Sequence, residues 1–152
     1  MIATIAGQVV LLLVDGGSTH NFIQQALVTQ LGLPCRDTTP LKVMVGNGQH
    51  LECTSFCEAI TIYIQATPFM VDLYVLPIVG ANVVLGVQWL KSLGPILTNF
   101  NTFCMQLFHE GQLVELQGNH DANLGLLTSP QFRRLCRKQG NGLCFHISIL
   151  SD

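Results

Sequence analysis

The chain has 152 residues, enough for one domain with a sizeable core. Hydrophobic residues make up 49% and charged residues 11%, and the formal net charge is −2. That describes a globular, unusually apolar chain, and no apolar run reaches membrane-spanning length because Asp72, Pro77 and Asn82 interrupt the richest region.

In chain order, "ATIAGQVVLLLVD" predicts two strands joined at Gly7-Gln8. The opening stretch has no Lys or Arg before Arg36, and it runs into Asp-Gly-Gly, so it reads as strand rather than secretion signal. A short helix is expected from about Ile23 to Leu31, stopped by Gly32 and Pro34. "LKVMVGNGQHLEC" reads as a hairpin turning at Asn47-Gly48. A second hairpin sets Ile60, Ile62 and Ile64 against Phe69, Val71, Leu73 and Val75 across a Thr67-Pro68 turn. "NVVLGVQWLKSLG" passes from strand to a short helix ended by Gly94-Pro95, with Trp89 in the core. "ILTNF" and a hairpin turning at Glu110-Gly111 complete an all-β domain over residues 1–118.

After Gly118 the texture changes. "NHDANLGLLTSP" reads as loop, Ser129-Pro130 suits the start of a helix over Pro130 to Lys138, and "LCFHISIL" fits a lone strand. Residues 119–152 carry too little apolar surface to fold alone and read as a linker or tail. Residues 1–118 hold three basic and seven acidic side chains, and residues 119–152 hold four basic and two acidic. The four tail cations, all in "RRLCRK", are too few to hold nucleic acid by counterion release. The six cysteines show neither CxxC pairs nor zinc-type His spacing, so they read as free thiols in a reducing, intracellular (cytoplasmic) setting with no metal. Cys53 and Cys57 can share one strand face as packing residues.

The stretch "VVLLLVDGGSTHNF" raises the functional question. An apolar strand delivers a carboxylate, Asp15, to a Gly-Gly-Ser-Thr turn, and a charge there is costly unless it is bonded or used. The same outline, strand then Gly turn then short helix, recurs at "NVVLGVQWL" without the acid. Two chemistries want such a loop. Phosphate binding of the actin and sugar-kinase type uses the Asp toward Mg²⁺ and the turn amides toward phosphate. It needs two α/β lobes and a second Gly-rich loop before a helix, which this chain lacks. Aspartic proteolysis uses two carboxylates sharing one proton, one activating water and the other protonating the developing oxyanion. A chain with one such loop obtains its second acid from a second copy across a two-fold axis.

"LLLVDGGSTHNFI", "VMVGNGQHL" and "FMVDLYVLPIVGANVVLGVQWLKSLGPILTNFNTFCMQLFHEGQLVELQG" together resemble the retropepsin-like protease domain in Pol polyproteins of gypsy-type plant retrotransposons, over roughly Thr4 to Gly118. The resemblance implies a retropepsin-like closed β-barrel, one lobe per chain, with one or two short helices. It implies Asp15 as the catalytic acid, with Gly16, Gly17 and Ser18 in the active-site loop. Val45, Gly46, Asn47 and Gly48 would form the substrate-binding flap, and Leu85 and Gly86 the turn bracing the acid loop. The implied function is a homodimeric aspartic endopeptidase acting on its own polyprotein, with no cofactor, no bound nucleic acid and no membrane. The tail would lead toward a reverse transcriptase. The alternative is a catalytically inactive retroelement-derived domain that dimerises or binds peptides.

One position departs from the family's Asp-Ser/Thr-Gly pattern: residue 16 is Gly. In the family that hydroxyl bonds across the dimer, so its loss predicts a looser acid loop and weaker association. His20 has no Ser or Cys spaced for a triad and reads as a polar loop residue. Asp72 alternates with apolar neighbours and is expected to face solvent rather than act as a second acid.

Overall fold

Alternating apolar residues turn most of the chain into strands, and those strands close on themselves. The computed structural model describes residues 1–44, 50–118 and 125–126. Its elements are β1 (Ile2–Ile5), β2 (Gln8–Val14), β3 (Phe22–Gln24), α1 (Gln25–Leu31), β4 (Arg36–Met44), β5 (His50–Ile64), β6 (Thr67–Leu76) and β7 (Val83–Leu85). They continue with α2 (Val87–Ser92), β8 (Ile96–Asn99), β9 (Cys104–His109), β10 (Gln112–Gln117) and β11 (Gly125–Leu126).

Six strands form a ring in the order β1-β2-β7-β3-β6-β5, closed by pairing of Ala3 with Ile64 and Thr4 with Tyr63. β4 pairs with the outer part of β5, and the separate three-stranded sheet runs β10-β9-β8. Closure removes the free edges that an open sheet of these short strands would leave to aggregation. The domain is therefore all-β with two short helices, as the sequence indicates. No helix among the described residues is long and apolar enough to cross a membrane.

The period-2 pattern places the core as expected. Ile60, Ile62 and Ile64 on β5 are buried with Phe69, Val71 and Leu73 on β6, and Ile62 lies opposite Phe69. Trp89 is buried and meets Phe69 edge-on, the ring centroids 5.4 Å apart. Met105, Leu107 and Leu116 bring the inner face of the second sheet into this core, while its outer face leaves Leu97, Phe108 and Leu113 exposed. Two further links hold the sheet to the barrel. The Gln65 and Gln117 positions exchange hydrogen bonds in both directions, and the His109 ring lies 4.4 Å from Phe69.

Several boundaries differ from the sequence reading. The first hairpin turns at Ala6-Gly7 rather than Gly7-Gln8, and the second at Gln65-Ala66 rather than Thr67-Pro68. Both residues of each turn have positive φ, the left-handed geometry that fits strand twist in two-residue hairpins. Thr67-Pro68 is instead the start of β6, where proline is tolerated at a strand end. The Glu110-Gly111 turn lies where expected. Helix α1 begins at Gln25, because Phe22 to Gln24 is drawn into the barrel by pairing with β6 and β7. It ends at Gly32 in the left-handed conformation, with φ 62°.

Past Gly118, β11 lies parallel to β2, with Gly125 opposite Leu13, in a stretch whose composition reads as loop. Parallel pairing of two residues leaves little local signature. The expected helix at Pro130 to Lys138, the final strand and the Asn47-Gly48 turn all lie outside the described residues.

Candidate active site

Strand β2 ends at Val14 and hands Asp15 to a loop that bonds both of its carboxylate oxygens. Asp15 and Ser18 are fully buried in the single chain. Burying a carboxylate is expensive unless its oxygens are bonded. Here the Gly17 amide donates to Oδ1 at 2.9 Å, and the Ser18 hydroxyl donates to Oδ2 at 2.9 Å. The Ser18 amide donates to the Asp15 carbonyl at 3.1 Å, closing the turn.

The repeated strand–turn–helix outline now has a physical meaning. β2 and β7 are parallel neighbours, Val14 lying beside Leu85, so the two turns that follow them pack together. The Asp15 amide donates to the Leu85 carbonyl at 2.9 Å, and the Val87 amide donates to the Ser18 carbonyl at 2.7 Å. Between them sits Gly86. A Cβ there would lie 2.4 Å from the carbonyl oxygens of both Ser18 and His20, distances no real side chain tolerates. Leu85, fully buried, anchors the turn from the core side. Gly16 is the opposite case. It is exposed, its φ is not positive, and a Cβ would meet nothing within 4 Å. The loop does not require glycine at 16.

Asn21 is a site residue that the sequence reading missed. It is buried, its Oδ1 accepts from the Gly86 amide at 2.9 Å, and its Nδ2 donates to the Asp72 carbonyl at 3.3 Å. Its own carbonyl accepts from the Tyr74 amide at 2.9 Å. One side chain thus ties the acid loop, the bracing turn and β6. The only signal in the sequence is a polar residue immediately before an apolar strand.

His20 is more than a polar loop residue. Its Nδ1 lies 2.8 Å from the Thr19 hydroxyl, and its ring stands edge-on to Tyr74 at 5.4 Å and to Phe22 at 6.4 Å. Burial holds its pKa below the ordinary 6.5. Asp72 is exposed, and its Oδ1 accepts from the Ala59 amide at 2.8 Å where β5 bulges.

Val45, Gly46, Asn47 and Gly48 lie outside the described residues. The strands leading to them are described, and they are joined to the acid loop through a second small core. Val43 and Cys53 from β4 and β5 pack with Leu13, Phe22 and Val84. The Cys53 thiol also donates to the Val75 carbonyl at 3.2 Å. The segment connecting β4 to β5 is therefore rooted on the same elements that carry Asp15. Among the described residues no cluster of His, Cys, Asp and Glu could hold a metal ion.

A closed barrel of this topology, with an Asp loop braced by an apolar-apolar-Gly turn, defines the retropepsin-like class of folds. The model of the retroviral aspartyl protease family matches residues 2–103, from β1 through β8, and the chain belongs to that family. Among solved structures, the retroviral protease-like domain of Ddi1 from Leishmania major is similar, with a TM-score of 0.57 and 14% sequence identity. The likeness covers 76% of this chain and 89% of that one, and at such identity it speaks for the fold alone. No curated protein matches the chain.

Proposed function

We propose that the chain is an aspartic endopeptidase that works as a homodimer, with Asp15 of each subunit supplying one carboxylate of a proton-sharing pair. The observation that carries this reading is the acid loop itself. A buried Asp is held at both oxygens and clamped through backbone bonds by a second turn, and among the described residues this is the one such loop. Asp72 is exposed and engaged at the β5 bulge, which makes it unsuited to be a second acid in the same chain. In the dimer one carboxylate takes a proton from water as that water attacks the scissile carbonyl, and the protonated partner donates to the oxyanion. The segment 45–49 would close over an extended peptide, its flanking strands packed through Val43 and Cys53 on Leu13, Phe22 and Val84.

The second sheet favours a particular mode of association. β8 is one of its two edge strands, and Leu97 and Phe100, on it and just past it, are 68% and 67% exposed. An exposed apolar edge is a template for pairing, and antiparallel pairing with its own copy obeys two-fold symmetry. β8 follows α2, whose first turn starts at Gly86, so pairing there would reach the acid loop through a short rigid path.

The chemical class of substrate is polypeptide. A retroelement polyprotein of the gypsy type, with residues 119–152 linking toward a polymerase, is the source the sequence resemblance favours. A non-catalytic dimerisation or peptide-binding role remains the competing reading, favoured by Gly16 alone.

Incubation with a mixed peptide library at mildly acidic pH, read by mass spectrometry, tests the proposal. Only the singly protonated pair is active, so cleavage should peak on the acid side of neutrality. It should disappear in Asp15→Asn and be blocked by a statine-type transition-state mimic. Cleavage that persists undiminished in Asp15→Asn would end the aspartic-protease reading.

A further inference from the structure

Where β4 begins beside β5, two cysteines that the proposed chemistry does not use come near each other. Arg36, the first residue of β4, lies opposite Phe56 on β5 in an antiparallel pair. Cys35 immediately precedes Arg36 and Cys57 immediately follows Phe56, so the two cysteines flank the last paired position of the ladder on the same side. Directly opposed residues of antiparallel strands have Cα atoms about 4.5 or 5.5 Å apart, and both separations fall inside the range a disulfide spans. The two thiols are near enough that Cys35, after burial, contributes to raising the pKa of Cys57. Cys35 is exposed and Cys57 is fully buried in the main core, so the pair has one accessible and one sheltered member.

We propose that Cys35 and Cys57 form an oxidisable dithiol that closes to a disulfide by exchange with a small-molecule disulfide such as oxidised glutathione, and reopens under excess thiol. In the first step the exposed Cys35 thiolate attacks one sulfur of the oxidant, forming a mixed disulfide and releasing one thiolate. In the second, the Cys57 sulfur attacks the Cys35 sulfur as its proton is lost to solvent, forming the Cys35–Cys57 bond and expelling the second thiol. Two protein thiols are oxidised and one small disulfide is reduced to two thiols. The order follows from access, and from the burial and neighbouring Cys35 that push the Cys57 thiol up to about 12 and make it a poor first nucleophile.

The bond would have a mechanical consequence. The covalent loop it closes contains β4, residues 45–49 and the first part of β5. Val43 and Cys53 within that loop belong to the small core beneath Leu13 and Val84. Oxidation would tie the connector after α1 to β5 and restrain the arm that carries residues 45–49.

The experiment equilibrates the full chain in glutathione buffers from reducing to oxidising. Free thiols are then alkylated, and non-reducing peptide maps are read by mass spectrometry. The expected result is a linked peptide pair containing Cys35 and Cys57, lost again on return to reducing buffer. Cys35→Ser, at an exposed position that leaves the core intact, should leave Cys57 alkylated only after unfolding. Cys57→Ala should trap Cys35 as the glutathione adduct. Hydrogen exchange at β4 amides should slow several-fold in the oxidised wild type and not in oxidised Cys35→Ser. A wild-type chain that stops at the Cys35 adduct, pairs Cys35 elsewhere, or shows no change would overturn the dithiol. Linked cysteines with unchanged β4 exchange would overturn the restraint.

Discussion

Gly86 and Gly16 sit one on each side of the acid loop, and their opposite environments separate a glycine demanded by packing from one that is not. At 86 a methyl group would meet two backbone oxygens, neither of which can swing away as a side-chain tip can. Gly86→Ala should therefore lower unfolding stability by about 3 kcal/mol, the upper end for overpacking, and abolish peptide cleavage by displacing Ser18 and His20. Urea titration together with the cleavage assay checks both effects. His20 supplies a pH prediction with a definite sign. Its folded pKa is lowered by burial against Tyr74 and Phe22, so at pH between the folded value and 6.5 the unfolded chain binds the extra proton. Stability should fall as pH drops through 6.5 and level off below the folded value, and the urea midpoint of His20→Gln should fall less over that window. At this scale the resemblance pointed to Asp15, Ser18, Leu85 and Gly86, and the structure places these four side by side. The resemblance did not point to Asn21. Its partners are Gly86 and Asp72, distant in the chain, and nothing beside it in the sequence announces either.

Among the elements, strands with strict alternation were legible from end to end, while the joints between them were not. β5 and β6 bury the faces their sequences announce, yet their turn falls two residues earlier than Thr67-Pro68 suggests. Turn propensity pointed to proline. Pairing and core registry placed the bend instead at Gln65-Ala66, two residues with φ of 51° and 74°. Gln65 has a compensation, since it exchanges hydrogen bonds with Gln117 and so ties the barrel to the second sheet. Ala66 has none of that kind. The left-handed conformation costs an L-residue with a Cβ about 1–2 kcal/mol, and glycine avoids it at some cost in chain entropy. Ala66→Gly should therefore raise the unfolding free energy by about 1 kcal/mol with β5 and β6 unchanged, measured by thermal or urea unfolding. A loss of stability would mean that Ala66 makes a contact worth more than its strain. The short β3 was hidden for a related reason: three residues ahead of a helix look helical, and only β6 and β7 on either side make them a strand.

For the whole molecule, the question is whether two acid loops meet, and residue 16 allows it to be asked directly. In the family the hydroxyl at this position bonds across the dimer. Here Gly16 is exposed, has ordinary φ and has open space where a Cβ would go, so a side chain can be restored without disturbing the single chain. If two subunits associate through β8 with their acid loops facing, Gly16→Ser returns one hydrogen bond per subunit. At about 0.5–1.5 kcal/mol each, the dimer gains about 1–3 kcal/mol. The dissociation constant should then tighten roughly 5- to 150-fold. Turnover per chain should rise with it, since the same bonds that hold the subunits also order the loop that holds Asp15. Sedimentation equilibrium gives the first quantity and the peptide assay the second, and the two should move together. Replacing Leu97 by Asp on the β8 edge should oppose both without touching the loop, by placing a charge in the apolar pairing surface. If Gly16→Ser changes neither the association nor the rate, position 16 does not face a second loop. Asp15 is then a buried turn residue of a binding domain, and the non-catalytic reading takes precedence.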